Sequence, residues 1–166
     1  MNKTWFISDT HFNHKNIIAY CNRPFKDIEE MNKTIIKNWN SVVRAEDIVW
    51  FLGDLALGNR EVCREIVGKL NGRKRMVKGN HDNWTDDFYR SIGFEYVSKY
   101  PIILKEHKII LCHTPPEKVQ GYYFYIFGHV HNNIAQIEID NPQQCKCVSV
   151  ERINYTPILV SEYDKC

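Results

Sequence analysis

Seven residues of metal-ligand type stand in short groupings along the chain: Asp9 and His11 in Asp9-Thr10-His11, Asp54 after Gly53, Asn80 in Gly79-Asn80-His81-Asp82, a lone His113, and His129 with His131 in Gly128-His129-Val130-His131. In extended backbone, side chains two apart share a face, so Asp9/His11 and His129/His131 can each grip one ion, or two adjacent ions, from a short stretch. A mixed carboxylate, amide and imidazole set suits borderline divalent ions such as Mn, Fe, Co, Ni or Zn. Seven ligands exceed the four of a structural zinc site, which is closed and commonly Cys-rich. One carboxylate shared between two ions would give each ion a full protein ligand set and leave positions for water and phosphate. Such a positive centre suits an anionic phosphoryl oxygen.

These groupings fall where strands end. Trp5-Phe6-Ile7, Ile48-Val49-Trp50-Phe51-Leu52 and Arg75-Met76-Val77 are short apolar runs of the kind buried in a sheet. Asp9, Asp54 and Asn80 follow them in turn, and in open α/β sheets ligand sites gather beyond the carboxyl ends of strands. Between the runs lie helices: a short one over Lys15–Cys21, broken by Arg23-Pro24-Phe25, and a longer one starting near Asp27. The longer helix has Ile28, Met31, Ile35, Trp39 and Val42 on one face, and Asp27 with Glu30 reads as its capping signal. A third spans Arg60–Leu70 and stops at Asn71-Gly72. This β-α-β-α order predicts an α/β sheet.

The later half is mostly strand after a short helix over Asp86–Ile92. Strands are expected at Phe94–Val97, Ile102–Leu104, Ile109–Cys112, Tyr122–Phe127, Ile134–Ile139, Lys146–Val150 and Ile158–Val160, with a hairpin turn at Glu106-His107-Lys108. Gly79 is expected to let the backbone turn sharply. No repeat or linker is evident, so residues 1–166 are expected to form one domain.

Composition bounds the partners. The chain has 166 residues, 25% of them charged, and a formal charge of +2, too small to argue for a nucleic-acid or membrane partner. The run Arg73-Lys74-Arg75 with Lys78 reads as the solvated start of a strand, with phosphate gathering as the second reading. No stretch approaches the ~18 apolar residues of a membrane span, and no signal peptide precedes Trp5. The six cysteines lack a Cys-x-x-Cys pair, so reduced thiols and a cytoplasmic location are expected. Cys145-x-Cys147 reads as alternate strand positions.

The ordered set Asp-x-His, Gly-Asp, Gly-Asn-His-Asp, His and Gly-His-x-His, from Asp9 to His131, resembles the calcineurin-like metallophosphoesterases. The wider pattern Asp-Thr-His-Phe-Asn-His-Lys-Asn-Ile-Ile, followed by Asn-Arg-Pro-Phe, is similar to a subgroup of small bacterial and phage phosphoesterases. The resemblance implies a four-layer α-β-β-α sandwich of two mixed β-sheets flanked by helices. It implies two divalent ions, manganese first and Fe, Zn, Ni or Co as alternatives. Asp9, His11 and His131 would hold one ion, Asn80, His113 and His129 the other, and Asp54 would bridge. The expected reaction is hydrolysis of a phosphomonoester or phosphodiester, with a nucleotide-type substrate favoured, by attack of a metal-bound hydroxide. His81 would be the general acid, Asp82 its orienting partner, and Asn80 a contact to the transition-state oxygens. Arg23 could fork a phosphate or anchor its loop, and His14 could touch substrate or hydrogen-bond within its loop.

Three other classes make different demands on the sequence. A nuclease of the same superfamily would want a broader basic surface or an added binding domain. A non-catalytic scaffold on this fold would be expected to have lost ligands, and all seven are present. A metallo-β-lactamase-type hydrolase needs His-x-His-x-Asp-His, whereas Asn132-Asn133-Ile134 follows His131.

Overall fold

The computed structural model describes residues 2–133 and 138–159. Its first sheet starts with β1 (Thr4–Ile7), whose Trp5, Phe6 and Ile7 are all buried. Then come α1 (Lys15–Tyr20), α2 (Ile28–Val42), β2 (Ile48–Phe51), α3 (Arg60–Gly68), β3 (Arg73–Val77), α4 (Asp86–Ser91) and β4 (Phe94–Ser98). β1 to β4 pair in parallel in the order β4-β3-β2-β1. The last described strand, β9 (Ile158–Leu159), adds antiparallel to β1.

The second sheet holds β5 (Ile102–Leu104), β6 (Ile109–Leu111), β7 (Phe124–Phe127) and β8 (Cys145–Cys147) in that order. β5 and β6 are antiparallel, whereas β6, β7 and β8 run parallel. The fold is therefore α/β, with two mixed sheets and flanking helices. The hairpin between β5 and β6 turns through a 3-10 segment at Lys105–His107, with Lys108 left-handed at φ 52°.

Helix α2 shows how local signals set the frame. Asp27 caps it, accepting from Glu30 N at 2.8 Å, and Met31, Ile35 and Trp39 form its buried face. Trp39 stacks on Phe51 of β2 with ring centroids 6.4 Å apart. Its indole N–H donates to the Asn71 carbonyl, so a large buried aromatic leaves no polar atom unpaired. Away from the site, Asp47 fastens the start of β1, accepting from Lys3 N, Arg44 N and Trp5 Nε1. Burial alone would raise this carboxyl; those hydrogen bonds outweigh it and hold it below its ordinary value.

One expectation on strands is revised. The strand expected over Lys146–Val150 ends at Cys147, and Val150–Arg152 is a 3-10 turn. The cause is a join between the sheets: Ser8 pairs with Ser149, Ser8 N donates to Val148 O, and Val150 N donates to Ser8 O. The chain leaves one sheet there to meet the other. The strand expected at Ile134–Ile139 lies largely outside the described residues, as does Val160. Cys145 and Cys147 occupy alternate positions of β8, and the five described cysteines are free thiols. Among the described residues no helix is long and apolar enough to cross a membrane.

Candidate metal centre

Every predicted ligand sits just past the C-terminal end of a strand. Asp9 and His11 lie two and four residues beyond β1, and His129 and His131 lie two and four beyond β7. Asp54 and Asn80 follow β2 and β3, and His113 follows β6. Parallel strands deliver these ends to one edge, and the Ser8–Ser149 join brings the edges of both sheets together. The backbone there is unusual. Asp9, His11, Asp54, His129 and His131 all have φ between 46° and 71°. Such left-handed residues are costly without glycine, and they gather at sites where the surroundings hold them.

Two groups of side chains converge. Asp9, His11 and His131 bring potential ligand atoms within 4.8 Å of one another, as do Asp54, His113 and His129. Asp54 stands between the groups, with Oδ2 3.5 Å from both His11 Nε2 and His113 Nε2. Asn80 Oδ1 lies 3.0 Å from His113 Nε2 and 3.0 Å from His129 Nδ1, and those nitrogens are 3.2 Å apart. Metal–nitrogen bonds of about 2.1 Å imply ligand–ligand edges of about 3.0–3.4 Å, so this triangle has the dimensions of a coordination face.

Hydrogen bonding in the first group also fits an ion. Asp9 Oδ2 accepts from Ser8 Oγ, Ser149 Oγ and His129 N. Its Oδ1 is buried with no partner, and so is His11 Nε2. Leaving buried polar atoms unpaired costs roughly 1–3 kcal/mol each, and a cation between them removes that penalty. Burial pushes the His11 imidazole down to about 2, with His131 and Arg23 adding to the effect, so it is a neutral donor. Burial likewise lowers His129 and raises Asp9. At His131 burial opposes charge, but hydrogen bonds to Cys21 and Glu151 and the Asp9 carboxylate raise the ring to about 10. An ion there would displace its proton.

Three glycines of the site are needed for space, and a Cβ on Gly53 would collide with Gly79 N and His113 Nδ1. A Cβ on Gly79 would collide with Asp54 Oδ1, and one on Gly128 with Ser8 Oγ and Asp9 Oδ2. Gly79 opens the expected turn, its carbonyl accepting from Asp82 N, and its lack of a side chain also permits the close approach of Asp54.

Asp82 departs from its expected role. It is buried, and its carboxylate accepts from the backbone N–H of Asp54, Leu55 and Gly79 and from Tyr89 Oη. Those donors claim both oxygens, so Asp82 pins the loops that carry Asp54 and Asn80 instead of orienting the His81 ring. Burial pushes its carboxyl up to about 6 against the pull of the Gly79 and Leu55 amides. His81 donates its backbone N–H to Asp54 Oδ1, while the residue itself is exposed. Its ring centroid is 5.3 Å from that of His11, which places it on the rim of the first group.

Arg23 departs too. Its guanidinium donates to the carbonyls of Thr10 and Asp9 at 2.8 and 2.7 Å and to Glu151 Oε1, and the residue is only 4% exposed. Fully engaged in this way, it anchors the Asp9–His11 loop and has no fork to offer a phosphate. His14 lies 5.5 Å from His11 by ring centroids, with Nδ1 unpartnered, so it belongs to the same mouth. The basic run is dispersed. Arg73 pairs with Glu95, buried Lys74 donates to the carbonyls of Leu70 and Gly72, Arg75 stacks on Trp50, and Lys78 donates to the Trp84 carbonyl.

The sequence reading missed Glu151, whose Oε1 is 3.0 Å from His131 Nδ1. The signal was there: Ser149 and Glu151 lie two and four residues beyond β8, repeating the offsets of Asp9/His11 and His129/His131. A cavity of about 400 Å³ adjoins the second group, lined among others by Lys78, Asn80, Lys99, His113 and Thr114.

The chain is 44% identical over 164 residues to the "Uncharacterized protein MJ1445" of Methanocaldococcus jannaschii, covering 95% of this chain and 87% of that one. It is 32% identical over 142 residues to the Gene 66 protein of Mycobacterium phage L5, covering 84% of this chain and 56% of the phage protein. Among solved structures, a protein of unknown function, AQ665 from Aquifex aeolicus, superposes with a TM-score of 0.75 at 29% identity, covering 99% of both chains. The nuclease MPE of Pseudomonas putida shares the fold, with a TM-score of 0.50 at 20% identity over 77% of this chain and 61% of that one. The description "Calcineurin-like phosphoesterase" matches residues 3–146. With that match spanning most of the chain and its Asp and His clusters able to hold metal, the protein belongs to the calcineurin-like phosphoesterase family of metal-dependent hydrolases.

Proposed function

We propose that the protein hydrolyses a small phosphoester, with nucleotide-type substrates favoured, using two divalent cations of which manganese is the first choice. The observation that carries this reading is the position of Asp54 Oδ2, 3.5 Å from a histidine nitrogen of each ligand group. When bound, the cations supply Lewis acidity toward phosphoryl oxygens and lower the pKa of water. Asp9, His11 and His131 form one cradle, Asn80, His113 and His129 the other, and Asp54 serves both. With Oδ1 turned to its histidines, Asn80 keeps its side-chain N–H groups for the phosphoryl oxygens. His81 donates a proton to the departing alkoxide from the exposed rim, and His14 contacts substrate beside it. Among the described residues Arg73, Lys74, Arg75 and Lys78 are dispersed rather than lined up beside the site, which favours a small substrate over a long nucleic acid.

The test is a panel of phosphoesters in Mn²⁺: mononucleotides, 2′,3′- and 3′,5′-cyclic nucleotides, dinucleotides and short single strands, with metal content measured on the same protein. Turnover of the small members is expected. Cleavage confined to strands would make the protein a nuclease, and no turnover with two ions bound would make it a scaffold.

A further inference from the structure

Behind the first ligand group, Arg23 and His131 converge on one buried oxygen of Glu151. Glu151 Oε1 accepts from Arg23 Nε at 2.8 Å and Nη2 at 2.7 Å, and faces His131 Nδ1 at 3.0 Å. The side chains of Arg23 and Glu151 are 0% and 2% exposed, so water does not compete for these contacts. The same guanidinium holds the Asp9 and Thr10 carbonyls. Asn132 Nδ2 donates to the Cys21 carbonyl, which ties the residue after His131 to the end of α1. Cys21, His131 and Glu151 could themselves be read as an ion site. However, Arg23 already places a positive charge on Glu151, and a second cation there would be repelled.

We propose that Glu151 is the positioning residue of His131, and that Arg23 ties it to the Asp9–His11 loop so that the first ligand group is set as one unit. This rests on the metal reading above. An imidazole that gives its Nδ1–H to a fixed carboxylate has one tautomer and one ring rotation, and its Nε2 is the free ligand atom. Here Nε2 points toward the unpartnered Asp9 Oδ1, 3.9 Å away. Because Arg23 grips Glu151 and the backbone of Asp9 and Thr10 together, a shift of Glu151 would move the ligands of one ion relative to each other. Among the described residues Arg23 and Glu151 form no hydrogen bond to Asn80, His113 or His129, so the second group should not feel a shift of Glu151.

The experiment follows the His131 ring nitrogens by two-bond ¹H–¹⁵N spectra of the full chain, metal-free and loaded with Zn²⁺, and measures Zn²⁺ affinity by titration. In wild type the Nδ1 proton should be present and slow to exchange in both states, with Zn²⁺ shifting Nε2. Glu151→Ala should make that proton exchange fast and weaken one ion by about 10–100-fold while leaving the other unchanged. Glu151→Gln keeps an oxygen acceptor and should weaken the same ion by less than about 10-fold. A wild-type Nδ1 without a proton, unchanged affinity in Glu151→Ala, or equal weakening of both ions would overturn the proposal. Should wild type take up one ion only, the two-ion reading fails, and the Nδ1 proton still decides the role of Glu151. If Glu151→Ala does not fold, the wild-type Nδ1 proton and the one-ion selectivity of Glu151→Gln decide it.

Discussion

The two ligand groups are built differently. Around Asp9, His11 and His131 each ligand is held from behind: Ser8 and Ser149 on Asp9, Arg23 on the loop carbonyls, Glu151 on His131. In the second group the Leu52 carbonyl fixes Nδ1 of buried His113, but Asn80 and His129, which face it, are exposed, and Asn80 and His113 line a cavity. One half is preformed inside the protein; the other opens toward whatever enters. A preformed half keeps the chemistry in register, and an open half admits the substrate.

The largest expected effect comes from removing what the halves share. Asp54→Asn should lower bound metal and activity together, with activity falling by at least about 10²–10³-fold, the range for losing a single transition-state contact. Retention of both ions with unchanged turnover would break the shared-oxygen account. His81→Ala tests the rim instead. Alkoxide leaving groups should lose about 10²–10⁴-fold, and nitrophenyl esters far less, because a good leaving group needs no proton. Asp82→Ala should show no such split, since its contacts run to backbone amides; it should lower stability by about 3 kcal/mol or more.

A third pair of variants compares the halves directly in metal-free protein. His131→Ala strips a partner from buried Glu151 and should cost about 1–3 kcal/mol. His129→Ala removes an exposed ring and should stay within about 0.5 kcal/mol in chemical denaturation. Equal costs would erase the distinction. The smallest effect on function belongs to Asp47→Asn, a buried carboxylate with every partner present and no ion to hold. It should cost roughly 2 kcal/mol from three weakened hydrogen bonds and leave metal content alone. The sign with pH follows from its depressed carboxyl. The stabilisation is present above the unfolded value near 3.8 and is lost as pH falls through the lower folded value. Asp47→Asn should therefore unfold less steeply in acid than wild type, as urea titrations at pH 2–5 would show.

Much of this was legible in the sequence because strand ends and ligand types coincide. Continuous apolar runs such as Trp5-Phe6-Ile7 have one stable use in an α/β sheet, so Asp9 and His11 had to lie at its edge. What stayed hidden depends on contacts far apart in the chain. Arg23 meets Glu151 across 128 positions, and no local pattern announces that pair. Glu151 was obscured by reading a strand through Val150, when the chain leaves β8 at Cys147 to join the other sheet. Asp82 misled through proximity: it is adjacent to His81 in sequence, yet its carboxylate turns inward to three amides. The clamps and pins were invisible for the same reason that the ligands were visible. Ligands follow their own strand, whereas their supports come from other strands and loops.

The join at Ser8 and Ser149 has a consequence for handling the protein. Asp9 accepts from both serines, so one carboxylate fastens the two sheets with one oxygen and faces the ion position with the other. Heat that parts the sheets must also dismantle the cradle, and an occupant of the cradle resists that parting. With cation at one hundred times its dissociation constant, linkage adds about 2.7 kcal/mol, or about 5–10 °C in melting temperature for a chain this long. A melting curve run with and without chelator therefore becomes a gauge of occupancy, usable before any substrate is known. A curve indifferent to chelator would mean that the cradle and the join come apart independently.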